Sequence, residues 1–226
     1  MIRAIIFDFD GLILDTEVPE FQAWQEIYRA HGCELPLATW VTAIGTSSDV
    51  FDPCAYLETQ VGRAVDREAI RLRRRQRCAE LLRAQPILPG VHSYLVGGKR
   101  LGLHLGVASS SSRAWVLGHL TALQLSAFFE CIKCSDDVPR VKPDPALYQA
   151  ALTALGLQAD QAIALEDSPH GVAAAKRAGL YCVAVPNPLT RELSFAQADL
   201  QLNSLADLPL ERLLATVQRN GLSPDR

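Results

Sequence analysis

The sequence predicts an α/β protein: a doubly wound parallel-sheet core interrupted near its start by a small α-helical domain. Three observations lead there. Short apolar runs at 4–7, 103–108, 131–134, 162–165 and 181–185 alternate with helical stretches from residue 87 onward, the pattern of strands buried on both faces by crossover helices. Residues from Val18 to about Ala84 show a helical, irregular pattern without strand-like runs. Polar clusters follow four of the five strands directly or within a short loop.

The first strand, Ala4-Ile5-Ile6-Phe7, is bounded by polar residues and ends at Asp8. After it, Pro36 and Pro53 punctuate the helical segment, and an amphipathic stretch runs from about Asp66 to Ala84. Pro86 to Gly90 reads as a linker. Helices are expected at about 113–123, 145–155 and 170–178, with Gly156 and Gly179 placed to close the last two. The domain division is therefore a core of residues 1–15 and 87–226 and a helical domain of residues 16–86.

Composition narrows the function classes. With 22 basic and 25 acidic residues, the net charge of −3 leaves no basic footprint for nucleic acid. No apolar stretch reaches the roughly 20 residues needed to span a bilayer, and Met1-Ile2-Arg3 enters a strand pattern instead of a signal peptide. The expected location is cytoplasmic. Six scattered cysteines are expected to be reduced thiols. Cys131 and Cys134 have CxxC spacing, but in a strand residues three apart face opposite sides, which argues against a shared metal.

Right-handed crossovers bring the loops at the carboxyl ends of parallel strands to one edge, where ligands bind. Strand one is followed by Asp8-Phe9-Asp10-Gly11, and Gly11 permits the sharp turn that lets two acids approach one centre. One carboxylate could attack phosphorus while the other handles the leaving group's proton. Strand-end acids also serve as caps and turn formers, so the pair alone does not decide. Ala108-Ser109-Ser110-Ser111-Ser112 offers hydroxyl and N–H groups at a helix start, although serine runs commonly only cap helices. Val141-Lys142-Pro143-Asp144-Pro145 supplies a fixed cation, Lys142, and a helix cap, Asp144. Glu166-Asp167 precedes another helix; capping explains one acid more easily than two, and Mg²⁺ suits Asp8, Asp167, Glu166 and the Asp10 carbonyl.

Acid pair, serine, lysine and acid pair at successive strand ends form a specific set. With these motifs the sequence resembles the haloacid dehalogenase superfamily, in its β-phosphoglucomutase-like subgroup with a helical cap, over nearly the whole chain. The resemblance implies Asp8 as nucleophile, Asp10 as general acid/base, Ser109, Ser110 and Lys142 as phosphoryl binders, and Asp8, Asp10, Glu166 and Asp167 around Mg²⁺. It also implies that residues 16–86 form a mobile cap, with Asp15 and Thr16 at its junction, and that the substrate is a small phosphorylated metabolite. A monomer is compatible with the sequence.

Phosphatase and mutase differ in the acceptor, which the cap selects. The mutase branch grips a second phosphate with cationic or imidazole cap residues; the corresponding positions here are Glu20 and Ser48, so hydrolysis is favoured and a β-phosphoglucomutase-type activity is the alternative. Thr16, Glu20, Trp24 and Ser48 are the candidate substrate contacts on the cap side. Trp24 and Phe21 could face substrate or pack in a core. Arg71, Arg73, Arg74, Arg75 and Arg77 wrap around one helix and read as a solvated face from which one could reach a phosphate. Asp10 and the Glu166-Asp167 pair argue against a dehalogenase. Residues 16–86 contain no lysine, against a Schiff-base phosphonatase. A non-catalytic metabolite-binding protein on the same fold is the remaining alternative.

Overall fold

The computed structural model of the protein describes residues 1–42, 44 and 51–221, with side chains to 219. Six parallel strands form one sheet in the order β3-β2-β1-β4-β5-β6: β1 (Ala4–Phe7), β2 (His104–Ala108), β3 (Cys131–Lys133), β4 (Ala162–Glu166), β5 (Tyr181–Ala184) and β6 (Leu200–Gln201). The five expected strands are present. β6 is the addition; with only two residues it carries no period for a sequence to show.

Alternation along β1 explains why the strands read as continuous apolar runs. Ile5 and Phe7 join Leu105, Val107, Ile163, Leu165 and Val183 on one face. That face is covered by helices α5 (Val91–Arg100), α6 (Arg113–Ala122) and α9 (Leu210–Gly221). Ala4 and Ile6 join Ala108, Ala162, Ala164, Cys182 and Ala184 on the other face, beneath α7 (Ala146–Leu155) and α8 (Pro169–Arg177). With both faces covered, no strand position needs a polar side chain. Cys134 packs in the first cluster and Cys131 against the second, so the CxxC pair straddles the sheet, and all six thiols are free.

Residues 17–82 supply α1 (Glu17–Ala30), α2 (Leu37–Trp40), α3 (Pro53–Val61) and α4 (Arg67–Leu82). These helices bury a cluster of their own, including Phe21, Trp24, Ile27, Tyr28, Trp40, Leu57 and Ile70. Asp52 caps α3 by accepting from the Cys54 and Ala55 amides, and Asp66 caps α4 by accepting from Ala69. Ala23, Cys78 and Leu82 instead belong to the sheet-side cluster, which fastens α1 and α4 to the core.

The strand order matters for the site. β1 is central, and the chain passes from it to β2 and β3 on one side, then to β4, β5 and β6 on the other. The crevice where the order reverses lies at the carboxyl end of β1, the place where doubly wound sheets bind ligands.

Candidate active site

Asp8 follows β1 directly, its backbone N–H donating to the Leu165 carbonyl at 2.9 Å, which continues the β1–β4 ladder one residue past the strand. The residue is 5% exposed. Lys142, brought in by the loop between β3 and α7, places Nζ 2.8 Å from Asp8 Oδ1 and 2.6 Å from Glu166 Oε1. Glu166 is fully buried and also accepts from Tyr148 Oη at 2.5 Å. Asp167 is fixed by Asn187 Nδ2, which donates to Oδ2 at 2.6 Å, while Thr190 Oγ1 donates to the Asp167 carbonyl at 2.8 Å.

Oxygens of Asp8, Glu166 and Asp167 lie within 4.8 Å of one another. Three clustered buried carboxylates thus share one buried ammonium, which touches two of them, an arrangement that is costly without further positive charge. Burial, and then the neighbouring acids, push Asp8 up to about 7 against the opposing pull of Lys142. Burial and the charges of Asp8 and Glu166 raise Asp167 well above the usual carboxylate range. Asp8 and Glu166 outweigh burial at Lys142 and keep it protonated. Glu166 Oε2 is buried without a hydrogen-bond partner among the described residues. An all-oxygen, excess-anionic cluster of this kind fits a hard divalent cation such as Mg²⁺. Asp10 was expected to contribute its carbonyl; its carboxylate stands outside the cluster and is engaged elsewhere.

Two glycines make the cluster possible. Gly11 has φ +73°, and a Cβ there would lie 2.0 Å from Asp167 Oδ2; a Cβ on Gly171 would lie 1.8 Å from Glu166 Oε2. Both positions exclude a side chain because the carboxylates occupy the space.

Asp10 turns away from the three acids. Oδ1 accepts from Thr16 Oγ1 at 2.8 Å and Trp115 Nε1 at 2.8 Å; Oδ2 accepts from Ser111 Oγ at 2.6 Å and Ser109 Oγ at 3.3 Å. Ser109 is fully buried, with its hydroxyl also accepting from the Ser111 amide at 3.0 Å. The cavity wall is formed by Ser110 and Ser111, so Ser109 is brought to Asp10 and does not itself line the cavity.

That cavity, about 780 Å³, lies between the carboxyl edge of the sheet and α1–α4. Asp8, Asp10, Lys142 and Asp167 form its floor, and Thr16, Glu20 and Trp24 line it from the helical side. Ser48 lies outside the described residues. Phe21 packs inside the helical cluster against Trp40, with ring centroids 5.8 Å apart. Of the α4 arginines, read as a solvated face from which one could reach a phosphate, Arg71 and Arg74 line the cavity. Arg74 pairs with Glu20 at 2.8 Å, and Trp24 Nε1 donates to the other Glu20 oxygen at 3.2 Å. Arg77 pairs with Glu26 and Glu80, and Arg73 and Arg75 are exposed.

Several functional candidates were not singled out from sequence. Glu17 lines the cavity, and burial followed by the charge of Asp10 raises it well above the usual carboxylate range. Its i,i+3 relation to Glu20 on α1 was a usable signal. Trp115, Tyr148, Asn187 and Thr190 had none, since their partners lie 18 to 105 residues away.

The model for the family of haloacid dehalogenase-like hydrolases matches residues 5–185, and the chain belongs to that family. Over 214 residues it is 47% identical to a Bacillus subtilis (strain 168) protein named "Putative phosphatase YhcW", covering 95% of this chain and 97% of that one. CbbY from Rhodobacter sphaeroides, solved in complex with xylulose-(1,5)bisphosphate, superposes with a TM-score of 0.74 at 30% identity, covering 92% of this chain and 96% of that one. β-Phosphoglucomutase from Clostridium difficile shares the fold, with a TM-score of 0.80 at 23% identity over 99% of this chain and 100% of that one. Among the described residues no helix is long and apolar enough to cross a membrane.

Proposed function

We propose that the protein is a Mg²⁺-dependent phosphatase that hydrolyses a small phosphate monoester, a sugar phosphate or similar metabolite, through a phosphoryl group carried on Asp8. The observation that carries this reading is the buried Asp8–Lys142–Glu166–Asp167 cluster opening on the cavity, with Asp10 held apart beside it. The relative named as a phosphatase and the bisphosphate complex of CbbY support the substrate class.

Asp8 attacks phosphorus as the bond to the leaving oxygen breaks, and Asp10 gives that oxygen its proton. Water then attacks the aspartyl-phosphate, losing its proton to Asp10, and the Asp8–phosphorus bond breaks to release phosphate. Lys142, already 2.8 Å from Asp8 Oδ1, offsets repulsion between the carboxylate and the phosphoryl oxygens. Mg²⁺ held by Asp8 and Asp167, with Glu166 behind them, would supply further positive charge at the same place. In this reading residues 16–86 are a cap that opens for substrate and closes to exclude bulk water, and residues 1–15 and 87–226 are the core that performs the transfer.

A mutase reading has one observation in its favour. Glu20 is paired with Arg74, and Arg71 lies on the same cavity wall, so the cap side does not repel a second phosphate as Glu20 alone would.

The test is inorganic phosphate release from phosphosugars, other phosphometabolites and an aryl phosphate, with Mg²⁺ or with EDTA. Release is expected in Mg²⁺ and is expected to fall at least about a hundredfold in EDTA. Conversion of β-glucose 1-phosphate to its 6-phosphate without phosphate release would instead establish the mutase. Binding of the same compounds without turnover would leave only a binding protein.

A further inference from the structure

Four donors converge on the Asp10 carboxylate, and they are not equivalent. Thr16, Ser109 and Ser111 present hydroxyls, each of which can rotate to accept as well as donate. Trp115 Nε1–H can only donate. Thr16 precedes α1 at the junction with the helical segment, whereas Trp115 sits in the first turn of α6, which packs on the sheet. The indole is therefore the donor to Oδ1 that belongs to the core.

Its position is set from behind. The Trp115 ring stands edge-on to His119, with centroids 4.4 Å apart and planes at 72°. The His119 ring in turn stacks on Phe9 at 6.0 Å and 29°. Phe9 is fully buried and lies between Asp8 and Asp10 in the chain. Phe9, His119 and Trp115 thus form a column that begins at the strand end carrying both acids and returns to one of them.

Resting on the phosphatase reading above, we propose that Trp115 is a positioning residue for proton transfer. Its indole fixes Oδ1 of Asp10 as a permanent acceptor and leaves Oδ2 as the oxygen that exchanges a proton with the reacting groups. Oδ1 already accepts two donors, one of which cannot reverse. Oδ2 faces the Ser109 and Ser111 hydroxyls, which can, and Ser111 lines the cavity. In the first half-reaction the Oδ2–H proton passes to the leaving oxygen as its bond to phosphorus breaks. In the second, Oδ2 takes a proton from water as the water oxygen bonds to phosphorus and the Asp8–phosphorus bond breaks. The indole holds this aim in both steps, including when closure or opening of the helical segment shifts Thr16.

Leaving-group dependence separates this role from general structural support. An alkyl phosphate must have its leaving oxygen protonated, whereas a nitrophenolate departs readily without a proton. Trp115→Phe keeps the ring and deletes the donor. Its kcat/KM, which covers only the steps through departure of the leaving group and not the shared hydrolysis of the aspartyl-phosphate, is expected to fall roughly 30-fold on an alkyl phosphate, with under about 3-fold change on p-nitrophenyl phosphate. Asp10→Asn should show the same selectivity with a larger loss. His119→Leu, which keeps the donor but removes its backing, should show a smaller selective loss. Equal loss of kcat/KM on both substrates, or no loss on either, would overturn the proposal while leaving the phosphatase reading intact. If thermal unfolding shows that Trp115→Phe does not fold, the same criteria applied to His119→Leu decide. A wild-type protein that releases phosphate from neither substrate would overturn the phosphatase reading, and this proposal with it.

Discussion

Asp8→Asn is expected to lower phosphate release by roughly 10⁴-fold or more while leaving the fold intact, because an amide cannot serve as the nucleophile. Asparagine matches aspartate in volume and can keep the contact with Lys142 now made at 2.8 Å. It also removes one of three crowded carboxylates, so the metal-free variant should unfold no more easily than the wild type, and burial should no longer favour proton uptake at residue 8. Steady-state kinetics on the best substrate, with circular dichroism and denaturant unfolding, check both halves. Activity within tenfold of wild type would remove Asp8 from the role of nucleophile.

Lys142→Met is the second large effect, and here stability falls with activity. The lysine is 2% exposed and is the cation placed against both Asp8 and Glu166. Removing it leaves three buried acids facing one another, a loss of about 3–5 kcal/mol by analogy with broken buried ion pairs, and turnover should drop about 10²- to 10³-fold. The pH dependence has a definite sign. Asp8 in the folded protein titrates at about 7 against 3.8 as the ordinary value. Between those limits the folded state therefore binds more protons than the unfolded state, and stability without metal falls as pH rises from about 4 to about 7. Loss of Lys142 removes the one influence that lowers this titration strongly. The deficit relative to wild type should therefore be fullest near pH 8 and shrink toward pH 5. Urea unfolding in EDTA across that range measures it; a deficit independent of pH would mean that the lysine acts by packing alone, for instance through Tyr148, whose ring lies 5.3 Å from Nζ.

The core was legible in the sequence for reasons the structure makes plain. Both faces of the sheet are covered, so Ala4–Phe7 and Ala162–Glu166 contain no polar interruption until the acids of the candidate site. The polar residues after the strands stand out because a buried apolar run ends at them. α5 was harder to read because it contains Gly97 and Gly98; a Cβ on Gly98 would lie 2.8 Å from Leu105 Cδ2, so close packing on β2 requires the residue that weakens the helical pattern. On α4 the periodicity showed a helix but not its rotation, and so could not separate Arg71 and Arg74 on the cavity from Arg73 and Arg75 in solvent. The ring of donors around Asp10 was hidden for a different reason. Ser111 and Trp115 lie 101 and 105 residues from it, and a serine run or a helical tryptophan looks the same whether or not a carboxylate meets it in space.

If phosphate passes through Asp8, the phosphorylated carboxylate can be trapped. Wild-type protein in Mg²⁺ would be mixed with excess substrate, quenched in acid at times within the first turnover, and reduced with borohydride, which converts an aspartyl-phosphate to homoserine for detection by peptide mass. Homoserine is expected at position 8, absent without substrate and absent in Asp8→Asn. Unmodified Asp8 at every quench time, in protein shown to be releasing phosphate in the same mixture, would contradict it and point to direct attack of water on the substrate.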